Sequence, residues 1–317
     1  MPSFTATAPG KIILFGEHAV VYGEPALAVP VSSVQARAVV SPQVTARWGE
    51  IRLEAPDVGL SKTLEELPDR HPLRAIIEEL INVLKLPRFP ACRIQISSTI
   101  PISSGLGSGA AVSAAVARAL AGYVGKTLTD EQVSALTYEV EKIHHGTPSG
   151  IDNSVVVYRR PIYFVKGAPL ETLDISVPFT VVIADSGVDK STQASVAKVR
   201  QGWTRDPVRY ETLFAFIGDI ARQARKLIEN GSPLDIGPLM NENQRLLKKL
   251  DVSTPDLEHL IAAALDAGAL GAKLSGGGLG GNIIALARGN EEDIAAALQE
   301  AGAAETIINP IKKTPRE

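Results

Sequence analysis

Residues 101–112 read Pro-Ile-Ser-Ser-Gly-Leu-Gly-Ser-Gly-Ala-Ala-Val, a run of small residues that constrains the backbone more than any other stretch. An alternating segment, Arg93-Ile94-Gln95-Ile96-Ser97, enters it, and an alanine-rich segment over 110–121 leaves it. A strand that turns sharply into a helix over glycines leaves unpaired amides at the helix start, where the macrodipole favours an anion. Small side chains at 107–111 let a polyphosphate come close to the backbone. The alternative is a tight strand-to-helix turn with small-residue helix packing, and the stretch alone does not separate the two. It is not a Walker A loop, because no Gly-Lys-Ser/Thr follows. It is not the dinucleotide fingerprint either, because Ala110 stands where the third glycine is needed.

Three further stretches carry candidate chemistry. The first is Ala8-Pro-Gly-Lys11-Ile-Ile-Leu-Phe-Gly-Glu17-His18-Ala-Val-Val-Tyr-Gly23, an apolar strand with a lysine at one end and a Gly-Glu-His turn at the other. Charged groups so close to an apolar strand are costly without work or partners, although a solvated hairpin end would also account for Glu17 and His18. The second, Lys273-Leu-Ser275-Gly276-Gly277-Gly-Leu-Gly-Gly281-Asn-Ile-Ile, puts five glycines between two apolar strands. That is more chain entropy than an efficient hairpin tolerates, so close approach of a ligand or backbone competes with a flexible hairpin. The third, Glu141-Lys-Ile-His144-His145-Gly-Thr-Pro-Ser-Gly-Ile-Asp152-Asn153, places Asp152 after a turn and before an apolar run, where N-capping is the plain alternative to catalysis. His144 and His145 are adjacent at a helix end and point in different directions, which argues against a metal site.

At 317 residues the chain exceeds what one hydrophobic core usually serves, so two domains are expected, 1–175 and 176–317. Consecutive strands are expected over 26–47 with turns at the Pro and Ser positions, helices over 72–85, 129–144, 208–229 and 255–267, and a strand over 178–185. A strand-turn-strand-helix pattern runs from 273 to 301. Strands and helices mix without regular alternation, which indicates α+β. The net charge of -3 offers no footprint for nucleic acid or an anionic membrane. Cys92 is the single cysteine, so no intrachain disulfide forms, and a reduced buried thiol is expected. The first residues lack the charged and apolar regions of a signal peptide, and no apolar run is long enough to span a bilayer, so a cytoplasmic location is expected.

Together these stretches resemble, in order and spacing, the three motifs of the GHMP kinase superfamily. The 8–23 segment and His145-Gly-Thr-Pro-Ser-Gly-Ile-Asp-Asn153 resemble the mevalonate kinases within it. The resemblance implies a ribosomal protein S5 domain 2-like N-terminal domain and a ferredoxin-like C-terminal domain. It further implies ATP-dependent phosphorylation of the C5 hydroxyl of mevalonate, with Mg2+ and without nucleic-acid or membrane partners, and it allows a homodimer. Carried over by motif, Asp152 stands beside the hydroxyl and Lys11 lowers that hydroxyl's pKa. Glu17 and His18 match the substrate-side turn, and Lys190 and Thr192 match a looser substrate-carboxylate segment (Asp185-Ser-Gly-Val-Asp-Lys-Ser-Thr192). Pro101, Ser104, Gly105, Leu106, Gly107, Ser108, Gly109, Ala110 and Ala111 form the ATP phosphate loop, which Ser275, Gly276 and Gly277 close. Glu141 matches the magnesium-binding glutamate.

Two positions depart from the family's pattern. Gly109 replaces a serine that helps to hold magnesium, which shifts that duty to Glu141, phosphate oxygens and water, with Ser108 as a substitute. Leu279 puts a bulky side chain into the closing loop and is expected to stiffen it. The competing readings are another GHMP enzyme, such as phosphomevalonate kinase, and a catalytically weak nucleotide-binding regulator.

Overall fold

The computed structural model describes residues 2–86, 89–101, 104–145, 148–188 and 192–315, with the backbone alone at 144 and 145. The chain forms two compact units that interleave along the sequence: Met1–Gly10, Val34–Ile102 and Leu106–Arg159 make the first, and Lys11–Ser33, Ser103–Gly105 and Arg160–Glu317 the second. Two long strands, β1 (Phe4–Phe15) and β2 (Ala26–Pro42), pair with each other, and each contributes residues to both units.

In the first unit, β3 (Ile51–Ala55) pairs antiparallel with β4 (Leu60–Thr63). Helix α1 (Pro72–Leu84) follows, with Pro72 in its first turn and the His71 ring capping the Leu73 amide. Strand β5 (Cys92–Ser98) lies parallel to β3 and antiparallel to the 36–42 part of β2. Three helices complete the unit: α2 (Ser108–Tyr123), α3 (Asp130–His145) and α4 (Ile151–Tyr158). The alanines of α2 are why it can be central, since a helix lined with small apolar side chains is buried on most sides and packs closely. It contacts α1, α3, α4 and β5. Arg118 on α2 reaches Asp130 Oδ1 at 2.6 Å and the Val157 carbonyl at 2.8 Å, so one guanidinium ties both neighbouring helices to it.

In the second unit the 26–28 part of β2 pairs with β6 (Ile162–Phe164), which pairs with β7 (Glu171–Thr172). A four-stranded antiparallel sheet follows, built from β8 (Phe179–Asp185), β9 (Gly271–Ser275), β10 (Asn282–Ala287) and β11 (Glu305–Ile311). Helices α5 (Thr192–Arg205), α6 (Pro207–Glu229), α7 (Gly237–Lys249) and α8 (Pro255–Asp266) lie between β8 and β9, and α9 (Glu291–Glu300) lies between β10 and β11. The order β11-β8-β10-β9 is the split βαβ arrangement of ferredoxin-like sheets. The whole is an α+β, two-domain architecture.

The strands expected over 26–47 are one strand, β2, and it ends at Pro42 rather than at 47. Pro30, Ser32 and Ser33 do not interrupt β2, which runs unbroken for 17 residues. They fall between its two registers, after Ala28 opposite Ile162 and before Ala36 opposite Ser98, so neither β5 nor β6 demands the amide that Pro30 lacks. The Pro30 carbonyl instead accepts from Asn309 Nδ2 at 3.2 Å. Cys92 is fully buried, and burial pushes its thiol up to about 12, which leaves it unreactive. Helices α5 and α7 and strands β3, β4, β6, β7 and β11 were not anticipated. No helix among the described residues is long and apolar enough to cross a membrane.

Helix α7 begins against the backbone of β9. A Cβ on Gly271 would lie 2.1 Å from the Gly237 carbonyl oxygen, and one on Gly237 would lie 2.5 Å from that of Leu270. Two rigid backbones meet there, so neither can give way. Gly271→Ala is expected to lower unfolding free energy by about 1–3 kcal/mol, the usual range for overpacking, as read by urea titration.

Candidate active site

Strand β1 grows steadily more buried toward Phe15, and Lys11 on it is 5% exposed. The chain then turns at Gly16 with φ +98°, where a Cβ would collide with the Ala26 backbone at 2.5 Å. Glu17 and His18 follow, both buried. His18 has φ 60° and ψ -49°, and the Ala19 amide donates to the Glu17 carbonyl at 2.7 Å. This is a γ-turn with positive φ, a rare and strained conformation for a residue with a side chain. A 3-10 turn over Ala19–Tyr22 comes next, and Tyr22 stacks on Phe214 of α6 at 4.1 Å between ring centroids.

The strained turn is held by partners far along the chain. Glu17 forms a fully buried ion pair with Lys273 of β9, and its second oxygen accepts from Asn243 Nδ2 of α7 at 3.2 Å. Lys273 also donates to the Leu274 carbonyl at 2.6 Å. Burial lowers the Lys273 pKa, and the Glu17 charge opposes that shift. His18 Nε2 lies 2.9 Å from the Gly277 carbonyl oxygen, so that nitrogen carries the proton and donates. Burial lowers the ring's pKa to about 4 and keeps it neutral, against the pull of that same bond. Two residues earlier, the Ser275 hydroxyl accepts from the Ile13 amide at 3.1 Å and donates to the Ile13 carbonyl at 2.8 Å. The 11–18 segment and the 275–277 segment are therefore locked together twice.

The closing loop is tied on its other flank as well. A Cβ on Gly277 would meet Ser195 Oγ at 2.6 Å and Thr192 Cα at 3.5 Å, so the start of α5 lies directly on it. Leu279 adopts φ 62°, and its amide donates to the Val252 carbonyl at 2.7 Å. Asn282, the first residue of β10, donates through Nδ2 to the Ser104 carbonyl. The second unit thus gathers Lys11, Glu17, His18, Thr192, Ser275, Gly276, Gly277, Ser104 and Gly105. Lys190 lies outside the described residues.

The first unit holds the rest. Gly107 caps α2 in the left-handed conformation with no side-chain cap, leaving Ser108 and Gly109 in the first turn, with Gly109 exposed. Leu106, Ala110 and Ala111 are buried. Asp152 does not cap α4: Gly150 does, and Asp152 is the helix's second residue, partly exposed. Its neighbours fix its direction. Asn153 Nδ2 donates to Ser134 Oγ on α3 at 2.8 Å, and Ser154 Oγ donates to the Gly150 carbonyl at 2.7 Å. A carboxylate in a first turn also meets the favourable end of the helix dipole. Glu141 on α3 is 3% exposed. Among the described residues no group of three His, Cys, Asp or Glu could hold a metal ion. Glu141 alone suits an ion that takes one or two protein carboxylates and completes its shell with phosphate and water.

Lys273, Asn243 and Asn282 escaped the sequence reading. Lys273 had a signal: a lone lysine between Ala272 and Leu274 in an apolar strand needs a counter-charge. The asparagines had none.

Two family models match the chain, the GHMP kinases N terminal domain over residues 72–160 and the GHMP kinases C terminal over 224–304. Both halves of a GHMP kinase are therefore present, and the stretch between the matches spans the division expected near 175 without placing it. The mevalonate kinase of Thermococcus sibiricus is 36% identical over 315 residues, covering 94% of this chain and 93% of that protein. The mevalonate kinase of Pyrococcus horikoshii is 34% identical over 319 residues, covering 94% and 92%. Among solved structures, L. major mevalonate kinase in complex with R-mevalonate superposes with a TM-score of 0.84 at 27% identity, covering 98% of this chain and 97% of that one. The chain belongs to the mevalonate kinase family of the ATP-dependent GHMP kinases.

Two expected outcomes follow from the buried turn. Glu17→Gln leaves the Lys273 charge buried without its counter-ion and should lower stability by about 3–5 kcal/mol, whereas adding Lys273→Met should recover much of that loss in the same urea titration. The unfolded His18 ring takes a proton near pH 6.5 and the folded ring only near 4, so the unfolded state binds more protons below 6.5. Stability should therefore fall as pH drops from 6.5 to 4, by about 3 kcal/mol at ~1.4 kcal/mol per pH unit, and His18→Gln should remove that component.

Proposed function

We propose that the chain transfers the γ-phosphoryl group of ATP to the C5 hydroxyl of mevalonate. The observation that carries this reading is the Glu17–His18 turn locked onto the Ser275–Gly277 loop. It joins two of the family's motifs into one rigid surface, and mevalonate kinases match over nearly the whole chain.

In this reading Asp152 accepts the hydroxyl proton while the C5 oxygen attacks the γ-phosphorus. The bond to the β,γ-bridging oxygen breaks and ADP leaves. Lys11 favours the developing negative charge on the attacking oxygen. Phosphoryl transfer goes through a loose transition state, so placement and charge stabilisation do more than nucleophile activation. The amides of 105–110 would supply donors fixed before the reaction begins, which makes them effective; the Ala111 amide is already engaged by the Gly107 carbonyl at 3.0 Å. Mg2+ would be held by Glu141 with Ser108, neutralising charge on the phosphate oxygens; Gly109 contributes no hydroxyl. His18 is neutral and donates to Gly277, and both Glu17 oxygens are engaged, so these two residues shape the substrate-side surface through the turn. Thr192 and Lys190 contribute to recognition of the substrate carboxylate.

ADP release should depend on mevalonate and be absent with phosphomevalonate as acceptor. Asp152→Asn should lower kcat by at least ~10²-fold with the fold intact by circular dichroism. Turnover near that of the unaltered enzyme would remove Asp152 from the role of base.

A further inference from the structure

The Ser104–Gly105 peptide lies on the start of β10. Asn282 is 2% exposed and donates through Nδ2 to the Ser104 carbonyl. A Cβ on Gly105 would lie 3.8 Å from that same Nδ2, and one on Gly281 would lie 3.8 Å from the Ser104 oxygen. The anchor itself is stiff. Asn282 is paired with Asp185 on one side and Ser275 on the other. Next to it, the Gly281 carbonyl accepts from the Ser186 amide at 2.9 Å and the Gly281 amide donates to the Val188 carbonyl at 3.2 Å.

Holding one carbonyl sets the direction of a whole peptide plane. Among the described residues no cis peptide is present, and in a trans peptide the C=O and the following N–H point to opposite sides. With the Ser104 oxygen turned toward Asn282, the Gly105 N–H is turned away from it, and Gly105 is exposed. Gly105 has φ +76°, a residue type and conformation at which the preceding peptide flips easily unless something holds it. Asn282 is the side chain that holds it.

We propose that Asn282 is a positioning residue for ATP: by fixing the 104–105 peptide it aims the Gly105 amide at the nucleotide's phosphates. This rests on the reading of 104–111 as the ATP phosphate loop. A donor fixed in advance binds an anion without the cost of ordering it, whereas a peptide free to flip presents its carbonyl part of the time.

Asn282→Asp tests this with almost no change in shape. A carboxylate cannot donate and faces the Ser104 oxygen with like polarity, so the peptide is released. The KM for ATP should rise about tenfold, the size expected for one lost positioned hydrogen bond, while the KM for mevalonate stays within twofold. Measured relative to the unaltered enzyme at each pH, the defect should shrink as pH falls, because a protonated carboxyl can donate again. A purely structural role would move both KM values and would show no such reversal. If the Asp variant does not fold, Asn282→Ser, too short to reach, should show the same selective rise without the pH reversal. An unchanged KM for ATP, or equal rises for both substrates, overturns the role given to Asn282. Hydrogen exchange on the unaltered enzyme separates the two layers. Protection of the 105–110 amides by the magnesium complex of a β,γ-imido ATP analogue supports the loop reading whatever the variants do. No protection there overturns that reading and this proposal together.

Discussion

The buried ion pair between Glu17 and Lys273 is the contact on which the second unit's functional surface depends. Neither side chain has any exposure, so both charges have left water and each is tolerated only because the other is present. Asn243 from α7 satisfies the remaining Glu17 oxygen, and the Leu274 carbonyl takes another Lys273 proton. This small network joins the end of β1, the middle of β9 and the face of α7. An apolar pair of similar volume could hold those elements as firmly, but it would not fix the carboxylate, and with it the backbone, in one register. The γ-turn at His18 sits one residue beyond that fixed point. Its strain, of the order of 1–3 kcal/mol for such conformations, persists because the neighbours on both sides are held.

From that turn the order spreads outward through hydrogen bonds of known direction. The neutral His18 ring holds the Gly277 carbonyl, Ser275 holds both backbone groups of Ile13, and Asn282 holds the Ser104 carbonyl. All of these partners sit at one end of the four-stranded sheet, where β8 and β9 finish and β10 starts. The glycines there serve close approach. Gly277 has no space for a side chain beside Ser195, and Gly278 has none beside the Val252 carbonyl. Leu279, the residue that departs from the family's glycine, is accommodated at positive φ with its amide bound to Val252. A loop so tied is a rigid surface rather than a loose hairpin.

Much of this was legible in the residues and some was not. Periodicity located α1, α3, α6 and α8, because each is a long element with one clear apolar face, while the continuous apolar run within 178–185 marked a buried strand. The glycine stations marked the site because glycine is wasteful wherever its freedom is unused. Pro30 misled, since its missing amide matters only opposite a partner strand, and it lies where neither β5 nor β6 pairs with β2. N-capping stayed open as the alternative for Asp152 because a Pro/Gly turn precedes it, but Gly150 reaches the left-handed conformation more cheaply and takes the capping position. The partners of Glu17 were hidden by distance: 256 residues separate it from Lys273, and no local pattern links the two. Asn282 was hidden more completely, since an asparagine at a strand start looks like any turn residue until its carbonyl partner is seen.

The Glu17–His18 turn is locked in one protonation state and one hydrogen-bond direction. Nitrogen-15 NMR of the imidazole-labelled enzyme, with His18→Gln to assign the signal, tests it most directly. A neutral His18 ring protonated on Nε2 is expected from pH 8 down to pH 5, with its midpoint about 4. A proton on Nδ1, or titration near the ordinary histidine value of about 6.5, would contradict it.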